Sequence, residues 1–310
     1  MTSRPSRHAS GSLGHAVDQA AARLMAAGIE TARLDARVLA AHVVGRDPSF
    51  VLTHPETALS VADIAAVERL ITRRAGHEPV SRILGEREFW SLTFKVTEAT
   101  LTPRPETETL VEHAVARVRE RGRQDAALRV LDLGTGTGCL LLAVLSELPQ
   151  SRGTGIDISP GAVAVAADNA SALGLDGRAR FQIGDWSAGL SGPFDLILSN
   201  PPYIAATDRV ALPPEVSGFD PPGALFAGAD GLDAYRAIAP EIARLLAPEG
   251  IAVIELGQGQ EEDVIEVFRR AGLVHDGTRA DLAGIPRSFC CRRGEGMNPQ
   301  KIVGNGVEPV

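Results

Sequence analysis

Val130-Leu131-Asp132-Leu133 is a β-type apolar run that passes directly into Gly134-Thr135-Gly136-Thr137-Gly138 and then into an apolar helical stretch from Cys139. Glycines at alternate positions let a backbone turn sharply and approach a ligand without Cβ clashes, at the strand end where α/β folds bind nucleotides. Taken alone, the run also fits an ordinary tight strand-to-helix turn. Asp157, 19 residues beyond Gly138, ends the next strand and adds a carboxylate able to accept both hydroxyls of a ribose. Gly184-Asp185-Trp186 ends the strand after that. Asp185 can accept from an exocyclic amine, and Trp186 offers a flat apolar face to a purine, although a tryptophan by default fills a core or covers a surface. The set Gly134, Thr135, Gly136, Thr137, Gly138, Asp157, Asp185 and Trp186 fits adenosine. No Gly-Lys-Ser/Thr phosphate loop accompanies it, and its glycine spacing differs from the dinucleotide Gly-x-Gly-x-x-Gly. A mononucleoside with a charged tail is favoured over NAD, and S-adenosylmethionine meets that description.

A fourth strand, Phe194 to Ser199, ends in Asn200-Pro201-Pro202-Tyr203. Two successive prolines stiffen the backbone and donate no N–H, so the Pro201 carbonyl can be held toward a substrate. That carbonyl and the Asn200 side-chain oxygen can accept the two hydrogens of a carboxamide NH₂, which aims the nitrogen lone pair at an electrophile. Tyr203 either packs against the substrate or is a buried aromatic with a bonded hydroxyl. The tetrapeptide resembles the signature of methyltransferases that act on planar, poorly nucleophilic nitrogens: adenine N6, cytosine N4 and glutamine amides. By that resemblance Asn200, Pro201 and Tyr203 carry the reaction, Pro202 joins them around the substrate, and Asn200 also touches the cofactor.

Further residues narrow the family. Glu78-Pro79, Ile83-Leu84-Gly85, Phe89 and Leu101-Thr102-Pro103-Arg104-Pro105-Glu106-Thr107-Glu108 resemble the segment preceding the catalytic domain in release factor glutamine methyltransferases. The likeness continues through Glu215, Ala224-Leu225-Phe226, Gly228, Asp230-Gly231-Leu232, Tyr235-Arg236 and Glu255-Leu256-Gly257-Gln258, spanning about residues 15 to 292. It implies transfer of a methyl group from S-adenosylmethionine, leaving S-adenosylhomocysteine, to the glutamine of the Gly-Gly-Gln motif in class 1 peptide chain release factors. It also implies that the Pro103 to Glu108 loop, with Arg104 and Glu106, shapes the substrate site; by bare chemistry these two are equally a surface ion pair. The sequence departs from the family at Ser81 and Arg82, where Gln-Tyr is expected, and at Thr102, where Ile is commoner. A sister family acting on a ribosomal protein shares the Asn-Pro-Pro-Tyr turn but varies at Pro-Arg-Pro-Glu-Thr-Glu. A DNA adenine methyltransferase is the weaker rival, for want of a basic recognition domain.

These residues need a scaffold, and the chain's 310 residues suit two domains. From His15 to about Gly76 the apolar period is helical: Val17, Ala20, Ala21, Leu24 and Met25, then Leu34, Val38, Ala41 and Val44, then Ile64, Val67 and Ile71 behind a Ser60–Asp63 capping box. Phe89, Leu92, Phe94 and Val96 shift to period two and predict a hairpin. Beyond it, strands at Val130–Leu133, Gly155–Ile158, Phe181–Ile183, Asp195–Ser199 and Ile251–Leu256 alternate with helices from Cys139, over Pro160–Leu173, Leu232–Leu246 and Glu261–Ala271, with late strands near Leu273 and Ser288. The expected fold is α/β: a seven-stranded, mostly parallel, Rossmann-like methyltransferase sheet with a small N-terminal helical bundle. Expected boundaries are a flexible tail at 1–12, a helical substrate-binding domain at 13–86, a β-hairpin linker at 87–105, the methyltransferase domain at 106–293 and a second tail at 294–310.

Composition limits the alternatives. A net charge of −8 argues against affinity drawn from nucleic-acid phosphates, so no direct nucleic-acid readout is expected. Residues 1–85 are mildly basic, with ten arginines against eight acids, which suits either a face near RNA or an acidic protein, or a solvated helical surface. No apolar run is long enough to span a bilayer, and residues 1–12 lack the apolar segment of a secretory signal. Three cysteines without metal or disulfide spacing imply no metal and a cytoplasmic protein, expected to be monomeric.

Overall fold

The structure, a computed structural model, describes residues 8–294. The expected tails lie outside the described residues at 1–7 and 295–310. Ser12, placed in the first tail, is instead buried and is the N-cap of the first helix, its side chain accepting from the His15 N–H. The chain divides into two compact units, one running to Glu86 and taking in Pro213–Phe219, the other holding Arg87–Leu212 and continuing from Asp220.

The first unit is helical: α1 (Leu13–Ala26), α2 (Ala32–Val43), α3 (Pro48–Thr53), α4 (Val61–Ala75) and α5 (Val80–Leu84). The Ser60–Asp63 capping box forms, and α4 buries Val67 and Ile71 against Leu13, Leu24 and Leu39. Two sequence expectations shift. Met25 and Leu34 are exposed; α2 buries Ala41 of the expected face but adds Ala32, Asp35, Ala36, Leu39 and Ala40 in place of Leu34. The rotation follows from an ion pair that periodicity of apolar residues cannot register. Arg74 of α4, fully enclosed, donates through Nε to Asp35 Oδ2 at 2.7 Å and through Nη2 to Glu215 of the inserted 213–219 segment. A charge can be buried only when paired and hydrogen-bonded, so Asp35 must turn inward to meet it.

β1 (Glu86–Phe89), whose first residue ends the first unit, and β2 (Leu92–Lys95) make a separate two-stranded sheet. Their turn residues Trp90 and Ser91 both hold left-handed φ values, 53° and 57°, as a two-residue hairpin turn demands. Glu108 fixes this turn by accepting from the Trp90 N–H at 2.8 Å. Then follow α6 (Glu108–Glu120), β3 (Arg129–Leu133), α7 (Cys139–Glu147), β4 (Arg152–Asp157), α8 (Pro160–Ala172), β5 (Ala179–Ile183) and β6 (Phe194–Ser199). The inserted segment carries the short α9 (Pro214–Ser217), after which come α10 (Asp233–Leu245), β7 (Leu246–Glu255), α11 (Glu261–Arg270), β8 (Leu273–Ala280) and β9 (Pro286–Arg293). β4 stops at Asp157, one residue short of expectation, and β7 starts at Leu246, earlier than expected, because an irregular stretch between the Phe194 and Leu196 pairings takes up Pro248 and its neighbours.

Seven strands form one sheet in the order β5-β4-β3-β6-β7-β9-β8, parallel except where β9 runs against β7 and β8. Alternate strand residues feed two cores, as the two-residue period of a strand requires. Val130, Leu196 and Val253 pack with α6 and α7, while Leu131, Ile197 and Ala252 pack with α10 and α11. Strand order reverses between β3 and β6, whose ends are in register at Leu133 and Ser199. Ligands of open α/β sheets bind beyond the carboxyl ends of strands at such a reversal.

Candidate active site

A cavity of about 500 Å³ opens at that point. Its wall is built by the turns that follow four strands: Gly134, Thr135, Gly136 and Thr137 after β3, Asp157, Ile158 and Ser159 after β4, Gly184, Asp185 and Trp186 after β5, and Asn200 and Pro202 after β6. The glycine turn requires glycine, since Gly134 and Gly136 stand at φ 73° and 54°. It is tied to the neighbouring strand: Gly134 and Thr135 N–H groups donate to the Ile156 carbonyl, and the Gly136 N–H donates to Asp157 Oδ2 at 2.9 Å. Asp157 Oδ1 accepts from the Ser159 N–H at 2.9 Å. Each carboxylate oxygen keeps a second acceptor site, so Asp157 can still take two hydroxyls. Trp186 lines the cavity and also packs against the α10 core. Gly138 does not line the cavity; it is the left-handed N-cap of α7.

The turn after β6 is held from several sides. Ser199 Oγ donates to the Leu133 carbonyl at 2.7 Å, and Asn200 Nδ2 to Thr107 Oγ1 at 3.4 Å. Tyr203 donates its hydroxyl to Glu255 Oε1 at 3.2 Å, and its carbonyl accepts from Gln260 Nε2 at 3.0 Å. Ile204 pairs with residues 225–227 in an isolated bridge through both its N–H and its carbonyl. A Cβ on Gly231 would overlap the Tyr203 carbonyl, so only glycine lets that segment pass. Pro201 is buried and, like Tyr203, is absent from the cavity wall.

Arg104 lines the cavity, whereas Glu106 does not, and the two are not a pair. Arg104 is bound to Asp220, a buried carboxylate that also accepts from the Thr102 N–H at 3.4 Å. This ties the Pro103 loop to the 221–224 wall. Local patterns could not disclose it, because the partners stand 116 residues apart. Two further acids take places at the site that the sequence does not assign to them. Asp132 is sealed beneath the glycine turn, accepts from Thr135 Oγ1 at 2.6 Å and leaves Oδ1 without a partner. Burial, followed by the nearby Asp157 charge, pushes its carboxyl up to about 7. Burial likewise raises Glu255, behind Tyr203, to about 7.

The donor set fits a cationic nucleoside. Of the charged groups on the wall, Asp157 and Asp185 are acids and Arg104 is already bound to Asp220. A pyrophosphate would meet repulsion there, and a positively charged ligand would relieve the clustering of Asp132 with Asp157. Among the described residues no cluster of His, Cys, Asp or Glu could hold a metal ion, and no helix is long and apolar enough to cross a membrane.

The reversed β9 at one edge of the parallel sheet, the glycine turn and the acid at the end of β4 define a Rossmann-like methyltransferase that uses S-adenosylmethionine. Residues 124–278 match the family described as a methyltransferase domain, and residues 15–85 the family described as the PrmC N-terminal domain. A release factor glutamine methyltransferase of Rhodospirillum rubrum is 50% identical over 281 residues, 91% of this chain and 85% of that one. A release factor glutamine methyltransferase of Bradyrhizobium diazoefficiens is 44% identical over 274 residues, 88% of this chain and 92% of that one. The fold alone is shared with the hMettl16 catalytic domain, solved with the MAT2A 3'UTR hairpin 6, at 14% identity and a TM-score of 0.55 over 83% of this chain and 94% of that one. The chain belongs to the release factor glutamine methyltransferase family.

Proposed function

We propose that this chain transfers the methyl group of S-adenosylmethionine to the side-chain amide nitrogen, N5, of the glutamine in the Gly-Gly-Gln motif of class 1 release factors. The observation that carries the reading is that Asn200 and Pro202 share one cavity with the glycine turn and Asp157. Family membership supplies the substrate. When bound, S-adenosylmethionine provides an electrophilic methyl on a sulfonium. Asp157 holds the ribose hydroxyls, Asp185 and Trp186 the base, and residues 134–137 the amino acid end. Asn200 Oδ1 and the Pro201 carbonyl accept the two amide hydrogens of the glutamine, drawing its weak lone pair out of conjugation and toward the methyl group; the nitrogen, cationic once methylated, releases one hydrogen as a proton to water, and S-adenosylhomocysteine is left. Arg104, fixed by Asp220, shapes the entry to that position, with Glu106 beside it in sequence. The helical first unit helps hold the release factor. The free Cys290 and Cys291 thiols, adjacent in one strand, support a cytoplasmic location.

The substrate is tested by incubating the protein with labelled S-adenosylmethionine and a purified release factor, beside a factor whose tripeptide glutamine is replaced. Label is expected on the first alone; label on both, or on neither, overturns the assignment. For the cofactor, Asp157→Ala is expected to weaken S-adenosylmethionine binding roughly ten- to hundredfold, the worth of charge-assisted hydrogen bonds. Unchanged affinity in calorimetry would remove Asp157 from the ribose.

A further inference from the structure

Glu255 ends β7 next to the β6 end, where Ser199 pairs with Ile254, and it is 2% exposed. It does not line the cavity, yet it stands behind two elements that do. An ionised carboxylate only accepts, so any hydroxyl that bonds to it must donate. Tyr203 does so at Oε1, while Oε2 is buried without a partner. An enclosed carboxylate oxygen left unbonded is costly, and a nearby donor would be drawn to it. The Thr107 hydroxyl stands near enough to Glu255 to turn its hydrogen toward that oxygen. It lines the cavity, its oxygen accepts from Asn200 Nδ2 at 3.4 Å, and it is close enough to lower the Glu255 carboxyl.

We propose that Glu255 is a positioning residue for methyl transfer: it commands the Thr107 hydroxyl hydrogen, so that Thr107 offers Asn200 a lone pair and Asn200 turns its NH₂ to Thr107 and its oxygen to the substrate amide. The inference rests on the reading of Asn200 as acceptor of the glutamine NH₂. A side-chain amide can face a ligand with either end, and only the oxygen end serves here. Tyr203, which also donates to Glu255, is held by the same carboxylate, so one buried charge sets the polarity on both sides of the turn.

Burial raises Glu255 to about 7 against the lowering effects of Thr107, Tyr203 and Arg287, with Glu106 pushing it further up. Tyr235 and Cys139 also feel its charge. Protonated Glu255 is itself a donor and no longer dictates the direction of the Thr107 hydroxyl. The active form is therefore the carboxylate, and turnover should fall as pH drops below about 7.

The test uses the full chain with saturating S-adenosylmethionine and release factor, and compares wild type, Glu255→Gln, Thr107→Val and Asn200→Ala from pH 6 to 9. Wild-type kcat is expected to decline about tenfold per pH unit on the acid side of a limb near 7. Glu255→Gln, nearly the same shape, is expected to lose about tenfold or more in kcat at pH 8 and to lose the limb, with S-adenosylmethionine affinity and KM for the release factor within about twofold. Thr107→Val should lose a similar amount, and Glu255→Gln combined with Thr107→Val in one chain little more, because the two act in series. A Glu255→Gln protein with normal kcat and an intact acid limb overturns the proposal. Should Glu255→Gln melt early, the wild-type profile and Thr107→Val decide by themselves: no limb, or a fully active valine variant, overturns it. An active Asn200→Ala would instead overturn the reading of Asn200 beneath it.

Discussion

Asn200→Ala is expected to lower kcat by two or more orders of magnitude, with affinity for S-adenosylmethionine nearly unchanged. A positioned acceptor whose bond strengthens only as the amide hydrogens become acidic contributes about 3 kcal/mol to the transition state, and losing it costs about a hundredfold. Cofactor binding is spread over the glycine turn, Asp157 and the Asp185-Trp186 pair, so the loss of one contact at the junction changes it little. Local damage should also be contained, because the turn keeps its bonds through Ser199, Tyr203 and Ile204. Single-turnover rates and calorimetry on the same preparation check both halves; a near-normal rate would end the mechanism.

Arg74→Ala is expected to be the most damaging single change to the helical unit, lowering its stability by about 3–5 kcal/mol. The figure is that for removing one partner of a buried ion pair and stranding the other. Asp35 has a side chain 9% exposed and, among the described residues, would keep only the Thr31 hydroxyl as a side-chain hydrogen-bond partner. Glu215, 37% exposed, can turn to water and adds less. Replacing both Arg74 by Met and Asp35 by Leu should recover a large part of the loss, since apolar side chains of similar size remove the stranded charge. Denaturant titrations followed by circular dichroism give the comparison. A loss under about 1 kcal/mol for Arg74→Ala would mean that the pair is not enclosed as described.

What the sequence disclosed and what it hid divide along physical lines. The sheet was legible because buried parallel strands are short apolar runs and their helices carry the longer period. The glycine turn and Asp157 were legible because their roles depend on backbone position within one βαβ stretch. Arg74, by contrast, sits in Arg73-Arg74, the last turn of an amphipathic helix, where a basic residue normally meets solvent and the helix dipole. Only the fold reveals that Asp35 and Glu215, 39 and 141 residues away, enclose it. Arg104 read as a partner for the nearby Glu106, while its true partner, Asp220, lies across the second unit. Glu255 read as the end of an apolar strand. Its burial and its bond from the Tyr203 hydroxyl are packing events with no local signal.

The assignment of Pro213–Phe219 to the helical unit has a consequence for modularity. The polypeptide leaves the catalytic unit at Leu212, lends seven residues to its neighbour and resumes at Asp220, the anchor of Arg104. No single cleavage or gene fusion can exchange one unit for a homologue's intact. A fragment starting at Arg87 retains Glu215 but lacks Arg74, so that glutamate loses its ion-pair partner. A graft of the helical unit has to carry both stretches at once.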